Sequence, residues 1–537
     1  MSEPTGPELN GHSPDGQAAA ALNGAGTSQF ADRRTVLIVL PGLLLAILLA
    51  MLDNLIVSTA LPRIVGTLGG VAHLSWVVTA YILASTITTP FYGKLGDMYG
   101  RKKFFITAIV IFLVGSALSG LSQSMAELIT FRALQGLGAG GLMVSAMATL
   151  GDLVAPRERG KYMSYMMVVM MLATIGGPLI GGVITTDFSW RWIFYINLPV
   201  GGAALVYLMA VLHVPTKRVQ HKVDYLGGSL LAVAATAVIL LATWGGTEYG
   251  WGSIQIVGLA VIAIAATAWF LVTERRAAEP MLPLHVFQNR NFSLAMVLTF
   301  LTGVAMFGAM TFLPLYQQTV QGASPTVSGL MLVPMMLGVT VTSILAGQVT
   351  TRTGKYKAFP ILGGGIMGLG MYLLTNLTVH TSRTTSAVYY VVLGLGMGFI
   401  MQMVSLIAQN SVGQRDMGVA SSARMFFQQI GGSLGVAAFG AVFARRLTES
   451  LAASAGPGAH LNSGPNLDPA TVDSLPATVR QDVFVAIAHA VQGVFYWALP
   501  ASVLVFLLAW LIKEVPLRGR TPAAPAAEAS TPEAVHL

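Results

Sequence analysis

GKLGDMYGRKK, residues 93–103, has an echo in GQVTTRTGKYK at 347–357: Gly93 and Gly347 stand 254 positions apart, and so do Gly100 and Gly354. Other landmarks keep the order and nearly the same offset. TALPRI and TFLPLY place Pro62 and Pro314 252 apart, and HLSWVVTAYIL and TVSGLMLVPMM align Ser75 with Ser328 at 253. GGPLIGG (176–182) pairs with GGSLG (431–435) at 255. The chain is a duplicated unit, and paired halves with a site at their interface describe a secondary transporter.

What is duplicated is hydrophobic. Of the 537 residues, 54% are hydrophobic and 10% charged, against roughly 25% charged in soluble domains. Apolar runs long enough to cross about 30 Å of hydrocarbon fall near 35–61, 71–92, 104–121, 127–151, 162–185, 192–212, 226–246, 254–273, 293–316, 327–349, 358–376, 387–410, 419–444 and 486–512. The expected fold class is an all-α polytopic membrane protein of 14 transmembrane helices in a 6 + 2 + 6 arrangement. Residues 1–34 read as a disordered cytoplasmic tail, 35–212 as the first six-helix bundle, and 213–290 as a linker with two inserted helices. The second bundle is 291–512, including an outer loop at 446–484, and 513–537 is a second disordered tail.

The net charge of +8 is spread in short clusters between spans rather than in one patch, so a nucleic-acid partner is not expected. Counted from a cytoplasmic N-terminus, 22 of the 30 Lys and Arg fall on the inner side. This is the positive-inside bias of short loops, and it puts both termini in the cytoplasm. There are no cysteines, hence no disulfide framework or thiolate chemistry. None of the three Gly-Lys pairs ends a phosphate-binding loop, and no H-E-x-x-H or nucleophile elbow occurs. Neither an ATPase nor another enzyme is expected.

Two charges lie deep in apolar runs. Asp53, in AILLAMLDNLIVSTALP (46–62), is the only one of 22 acids away from tails, loops and span ends. Desolvation favours its neutral form and a nearby arginine its charged form, so a change in water access or Arg distance would load and unload a proton. Arg132, in RALQGLGAG, lies at a depth from which a long side chain can bridge to Asp53 if spans 1 and 4 are neighbours. The blander alternatives are an Asp that caps a polar face with Asn54 and Ser58, and an Arg that snorkels outward.

In GKLGDMYGRKK, Lys102 and Lys103 suit a positive-inside anchor, and Gly93, Gly96 and Gly100 permit a tight turn. Asp97 is the odd member, since anchoring needs no acid. It is placed to form a charge cluster with Arg101 and with Asp152 at the inner end of span 4. In the echo Thr351 stands opposite Asp97, so a second cluster should be weaker. GGPLIGG, with Gly177, Pro178, Gly181 and Gly182, suits a kinked helix in close contact with a neighbour. Trp76, Tyr81, Phe307, Phe312, Tyr316, Phe426, Gln402 and Gln428, with Met167 among many methionines, are candidate pocket lining. Arg424 is either an interfacial anchor or faces a cavity.

At these residues the chain resembles the major facilitator superfamily, in particular its fourteen-helix drug:proton antiporters of the EmrB/QacA type, over about residues 35–515. LDNLIVSTALP, GKLGDMYGRKK, RALQGLGAG, GGPLIGG and WRWIFYINLPVG carry the likeness, with ERRAAEPMLPLHVFQNR and KEVPLR downstream. One departure is Ala173, where the family usually has glycine. The resemblance implies that the 93–103 loop latches the two halves. It implies too that the span 5 motif seals the pathway against proton leak, as in an exporter rather than an uptake system. The expected function is proton-coupled export of small amphipathic or hydrophobic molecules by alternating access. The chain would act as a monomer in the lipid bilayer of a bacterial-type plasma membrane, with the proton as coupling ion and no cofactor. Export of one natural product or a lipid is the nearest alternative. A membrane sensor would need a sizeable output domain, which neither tail supplies.

Overall fold

The structure, a computed structural model, describes residues 32–68, 74–212, 224–246, 248–277, 279–413, 416–454 and 477–517. It is all α-helical, with no β-strand among the described residues. The first half comprises α1 (Arg33–Leu68), α2 (Leu74–Tyr99), α3 (Arg101–Leu121), α4 (Met125–Leu153), α5 (Pro156–Asp187), and α6 (Trp192–Tyr195) with α7 (Asn197–Val211) as one broken rod. The inserted pair is α8 (Tyr225–Trp244) and α9 (Ile254–Glu274). The second half comprises α10 (Arg290–Thr319), the broken rod α11 (Pro325–Met331) and α12 (Val333–Thr353), α13 (Ala358–Leu374), α14 (Arg383–Asn410), α15 (Met417–Ser454) and α16 (Ala477–Trp510).

Twelve rods are long and apolar enough to cross a membrane. The remaining two fall short for opposite reasons: α13 is strongly apolar but has 17 residues, while α2 is long but diluted by Ser, Thr and the charges of its motif. Most helices overrun the expected spans, because hydropathy senses the hydrocarbon and not the turns that continue past it. The expected outer loop 446–484 is the clearest case. Helix α15 continues to Ser454, aided by the Arg445–Glu449 pair one turn apart at 2.8 Å, and α16 starts at Ala477. The middle of that loop and nearly all of both tails lie outside the described residues.

Six helix starts are closed by side chains, which satisfy N–H groups the helix itself leaves without partners. Ser124, Asp224, Ser253, Asn289, Ser324 and Ser382 each accept a hydrogen bond from a first-turn N–H of the helix that follows. The repeat is visible in the backbone as well. Gly100 and Gly354 both have positive φ, 104° and 73°, a conformation glycine adopts without Cβ strain. At equivalent positions they turn α2 into α3 and α12 into α13.

The halves meet along two seams, α2 against α15 and α5 against α12. By the repeat offset α2 corresponds to the α11–α12 rod and α5 to α15, so the seams exchange under the internal two-fold. Each half contributes a methionine to the other's core: Met167 of α5 packs in the second-half cluster and Met425 of α15 in the first-half one. Helix α8 packs on both α2 and α15, with Trp76 edge-on to Trp244 at 5.5 Å, and α9 packs mainly on α8. The outward faces of α7, α9 and α16 are large apolar side chains such as Val206, Ile254, Ile264 and Trp510, as lipid contact requires.

Contacts between the halves concentrate near the face that carries the described C-terminus. That face is marked by two hydrogen bonds within the second half, Asn291 Nδ2 to Lys513 O at 2.7 Å and Tyr356 N to Glu514 at 3.0 Å. On the same face α5 and α12 touch backbone to backbone: a Cβ on Gly160 would lie 2.8 Å from Gly347 Cα. Ser164 Oγ, one turn deeper, donates to Ser343 O at 3.1 Å. An added side chain in so close a contact costs roughly 1–3 kcal/mol. Gly347→Val should therefore hold this face apart. In a Ser164→Cys background, otherwise cysteine-free, maleimide labelling should rise about tenfold on adding Gly347→Val; unchanged labelling would contradict the contact.

Candidate functional site

Five helices of the first half converge on Asp53. The side chains of Asp53 and Arg132 are both 0% exposed. Arg132 Nη1 donates to Asp53 Oδ2 at 2.7 Å, while Gln135 Nε2 and Asn197 Nδ2 donate to Oδ1 at 2.8 and 2.7 Å. Asn197 Nδ2 also reaches Ser116 Oγ at 2.9 Å, and that hydroxyl donates to Phe194 O at 2.8 Å. The guanidinium lies over the Tyr81 ring, 4.1 Å from its centroid, and also donates to Gln135 Oε1 at 2.7 Å.

The local reasons are plain. Arg132 and Gln135 are three residues apart on α4 and so share a face. Asn197 opens α7 just after the break in its rod, which turns the amide inward. A buried carboxylate is tolerable when several donors replace its water, and removing one partner of a buried pair costs about 3–5 kcal/mol. Chemically, the group can be charged and matched by Arg132, or neutral and released from it. The sequence reading reached Asp53 and Arg132 but not Gln135, Asn197 or Ser116. The signal was available, because Asn197 is a polar residue inside an apolar run as Asp53 is.

The second constellation lies at the end of α2. Asp97 pairs with Arg101, whose Nε donates to Asp152 Oδ2 at 2.8 Å and whose Nη1 donates to Gly93 O at 3.4 Å. Across the seam, the two oxygens of Asp97 accept the backbone N–H groups of Gly418 and Val419, each at 3.0 Å. These amides open α15, so the acid sits at the positive end of a helix dipole. Gly93 has no room for a Cβ against Ser422 and the Gly418 carbonyl. The opposite pairing occurs beside it: buried Arg159 caps the C-terminal end of α4 by donating to Gly151 O and to Val154 O at 2.8 Å. In the echo, Thr351 donates to Gly347 O of its own helix at 2.7 Å. Lys94, in the motif itself, pairs with Glu279 of the linker at 3.2 Å.

The glycine motif of α5 faces α1, where a Cβ on Gly177 would strike Leu55 Cβ. Gly181 is buried and Gly182 half-buried; Pro178 lies within α5, and its side chain is outside the described residues.

The candidate pocket residues do not gather. Trp76 meets Trp244 of the inserted pair, and Tyr81 belongs to the Arg132 site. Tyr316 donates to Thr378 O at 2.7 Å inside the second half, and Phe312 packs on Phe443 at 5.6 Å. Phe307 fills the space over Gly432, Phe426 lies edge-on to Phe427, and Met167 is core. Gln402 crosses the seam, donating to Gly160 O at 2.7 Å. Gln428 lines a cleft, with Thr299, Thr302, Ile400, Met401, Val404 and Arg424.

Comparison with known proteins gives these sites a context. The chain is 39% identical over 521 residues to an uncharacterized MFS-type transporter of Mycobacterium tuberculosis, covering 96% of this chain and 74% of the relative. It is 36% identical over 476 residues to multidrug resistance protein 3 of Bacillus subtilis, covering 86% and 92%. The fold is shared with the proton:xylose symporter XylE at a TM-score of 0.58 and 15% identity, covering 89% of this chain and 96% of the symporter. The profile of the Major Facilitator Superfamily matches residues 43–436. This multi-pass membrane protein belongs to the major facilitator superfamily and is an MFS-type transporter.

Proposed function

We propose that the protein is a proton-coupled antiporter that exports amphipathic small molecules, with fourteen spans and both termini in the cytoplasm. The observation that carries this reading is the Asp53 site: one carboxylate, fully enclosed, held by Arg132, Gln135 and Asn197. Protonation of Asp53 removes the charge that matches Arg132 and alters the packing of α1 against α4. A group that changes charge inside the moving body is what coupling requires. The multidrug relative in Bacillus supports the export direction. The two spans beyond the twelve are α2, polar for its length and packed on α4 and across the seam on α15, and α13, short and packed on α14 and α16 of its own half.

Alternating access then follows from the seams. With Asp97 seated on the first amides of α15, the cytoplasmic face is closed; opening it parts α15 from α2 and α12 from α5. Asp53 and Asp97 lie in one half, joined through α4, which carries both Arg132 and Asp152. A charge change at Arg132, two turns into α4, thereby acts on the same helix that carries Asp152 near its other end.

In vesicles with an imposed pH gradient, Asp53→Asn should abolish uphill dye export while dye binding persists, and Asp53→Glu should retain part of it. The Asn variant leaves Arg132 unmatched, at a cost of about 3–5 kcal/mol, so its melting temperature should fall. Adding Arg132→Gln should recover the stability but not the export. Concentrative export by Asp53→Asn at wild-type rates would sink the coupling role.

For the latch, Asp97→Asn keeps one acceptor but loses the charge at the α15 dipole, an interaction of about 0.3–2 kcal/mol. The transport rate should drop several-fold with substrate affinity unchanged. Equal weakening of both, measured by transport and by tryptophan quenching on the same preparation, would place Asp97 in recognition instead.

A further inference from the structure

The first half carries an acid already matched by an arginine; the second half carries an arginine with no acid. Arg424 is 8% exposed and lies seven residues into α15, about 10 Å along the helix at ~1.5 Å per residue. Its one hydrogen bond among the described residues is from Nη1 to Gln428 Oε1 at 3.0 Å, and it forms no ion pair there. The helices of the second half contain two acids, Glu449 and Asp482, both near the other face. The nearer acids are engaged elsewhere: Asp97 holds Gly418 and Val419, and Asp416 lies 3.5 Å from His285. The repeat does not explain this charge either, since the offsets of 252 and 254 put Ala305 and Ser386 opposite Asp53 and Arg132.

A guanidinium stays charged in a protein, and a buried charge needs a counter-charge or water. Around Arg424 is a narrow cleft of about 10 Å³ between α10, α14 and α15, room for about one water. It offers the hydroxyls of Thr299 and Thr302 and the amide of Gln428 on one side, and Ile400, Met401 and Val404 on the other. Room for one water is far below the roughly 300–1,000 Å³ of sites enclosing whole drug-sized ligands, so the cleft is closed in this state and an anionic group enters it only once the face beside it opens. Both threonine hydroxyls donate to their own helix, to Ala295 O and Leu298 O, and so keep lone pairs rather than protons toward the cleft. The anion-binding donors are thus Arg424 and the Gln428 amide, whose Nε2 now meets only Met306 Sδ at 3.9 Å.

We infer that this cleft receives the anionic group, a carboxylate or phosphate, of an amphipathic substrate, so that the transporter selects organic anions over cations. The inference rests on the exporter reading and names the substrate class of that transporter. A cation would meet the unmatched guanidinium and find no carboxylate among the residues lining this cleft, whereas an anion finds a fork of donors suited to two oxygens.

The test is binding to the purified full-length protein in detergent without a gradient, using two dyes on the same ring system: anionic fluorescein and cationic rhodamine 123. Wild type should prefer fluorescein. Arg424→Gln should weaken fluorescein binding by about tenfold or more, as expected for loss of a charge-assisted contact, and leave rhodamine 123 within about twofold. Arg424→Lys, which keeps the charge but not the fork, should restore part of the loss. Melting curves for the three proteins separate this from misfolding. Displacement of fluorescein by lysophosphatidylglycerol would assign the anion to a lipid head group, and no displacement to a soluble acid. Equal affinity of wild type for both dyes, or the same loss of both in Arg424→Gln, overturns the inference. Because no gradient is applied, a failure of pH-driven export with this charge selectivity intact would overturn the antiport reading alone.

Discussion

An ionised carboxylate in the middle of a membrane survives only if protein dipoles and charges replace its water. Much of the first half is arranged to do that for Asp53. Five helices supply the side chains that touch Asp53 and its arginine, and the break between α6 and α7 places Asn197 at the acid. The same site can stop satisfying the acid when it becomes neutral, because Arg132 then has Gln135 and the Tyr81 ring in place of its counter-charge. In the proposed antiporter, stability and switching are two aspects of one network, since the donors that make burial possible make the buried charge consequential.

Helix ends do for the seam what side chains do for the core. Asp97 lies at the positive end of α15 and Arg159 at the negative end of α4, so charge of each sign is set against the dipole it favours. Between them the glycine contact of α5 and α12 is held by close backbone packing, with the Ser164 and Gln402 hydrogen bonds beside it. Polar anchoring beside close apolar contact makes a joint that is tight when seated and loses little once wetted, because helix-end amides and carboxylates hydrate readily.

The sequence made the fold class legible because the 252–255 offset and the apolar runs are long-range regularities that single substitutions do not erase. Asp53 and Arg132 were legible because a charge in an apolar run has few innocent explanations. The charged members of the α2 motif were legible for the same reason, but not what Asp97 grips. Its partners are the backbone amides of Gly418 and Val419, more than 300 residues away, and an amide has no letter in the sequence. The pocket aromatics were not legible, since Trp76, Phe312 or Tyr316 in an apolar helix looks the same whether it meets a ligand, Trp244 or a loop carbonyl. The helix count is blurred at α2 and α13, where a seam-facing helix is polar and a packed one short.

The inserted pair makes the two seams inequivalent. Helix α8 lies along α2 and α15, whereas neither inserted helix packs along the α5–α12 seam among the described residues. The internal two-fold that relates the halves is therefore broken at the flanks. A molecule dissolved in the bilayer and diffusing around the protein meets a covering helix on one side and a bare joint on the other. Such a transporter has a handed perimeter, with an inserted helix over one seam and neither of the inserted pair over the other.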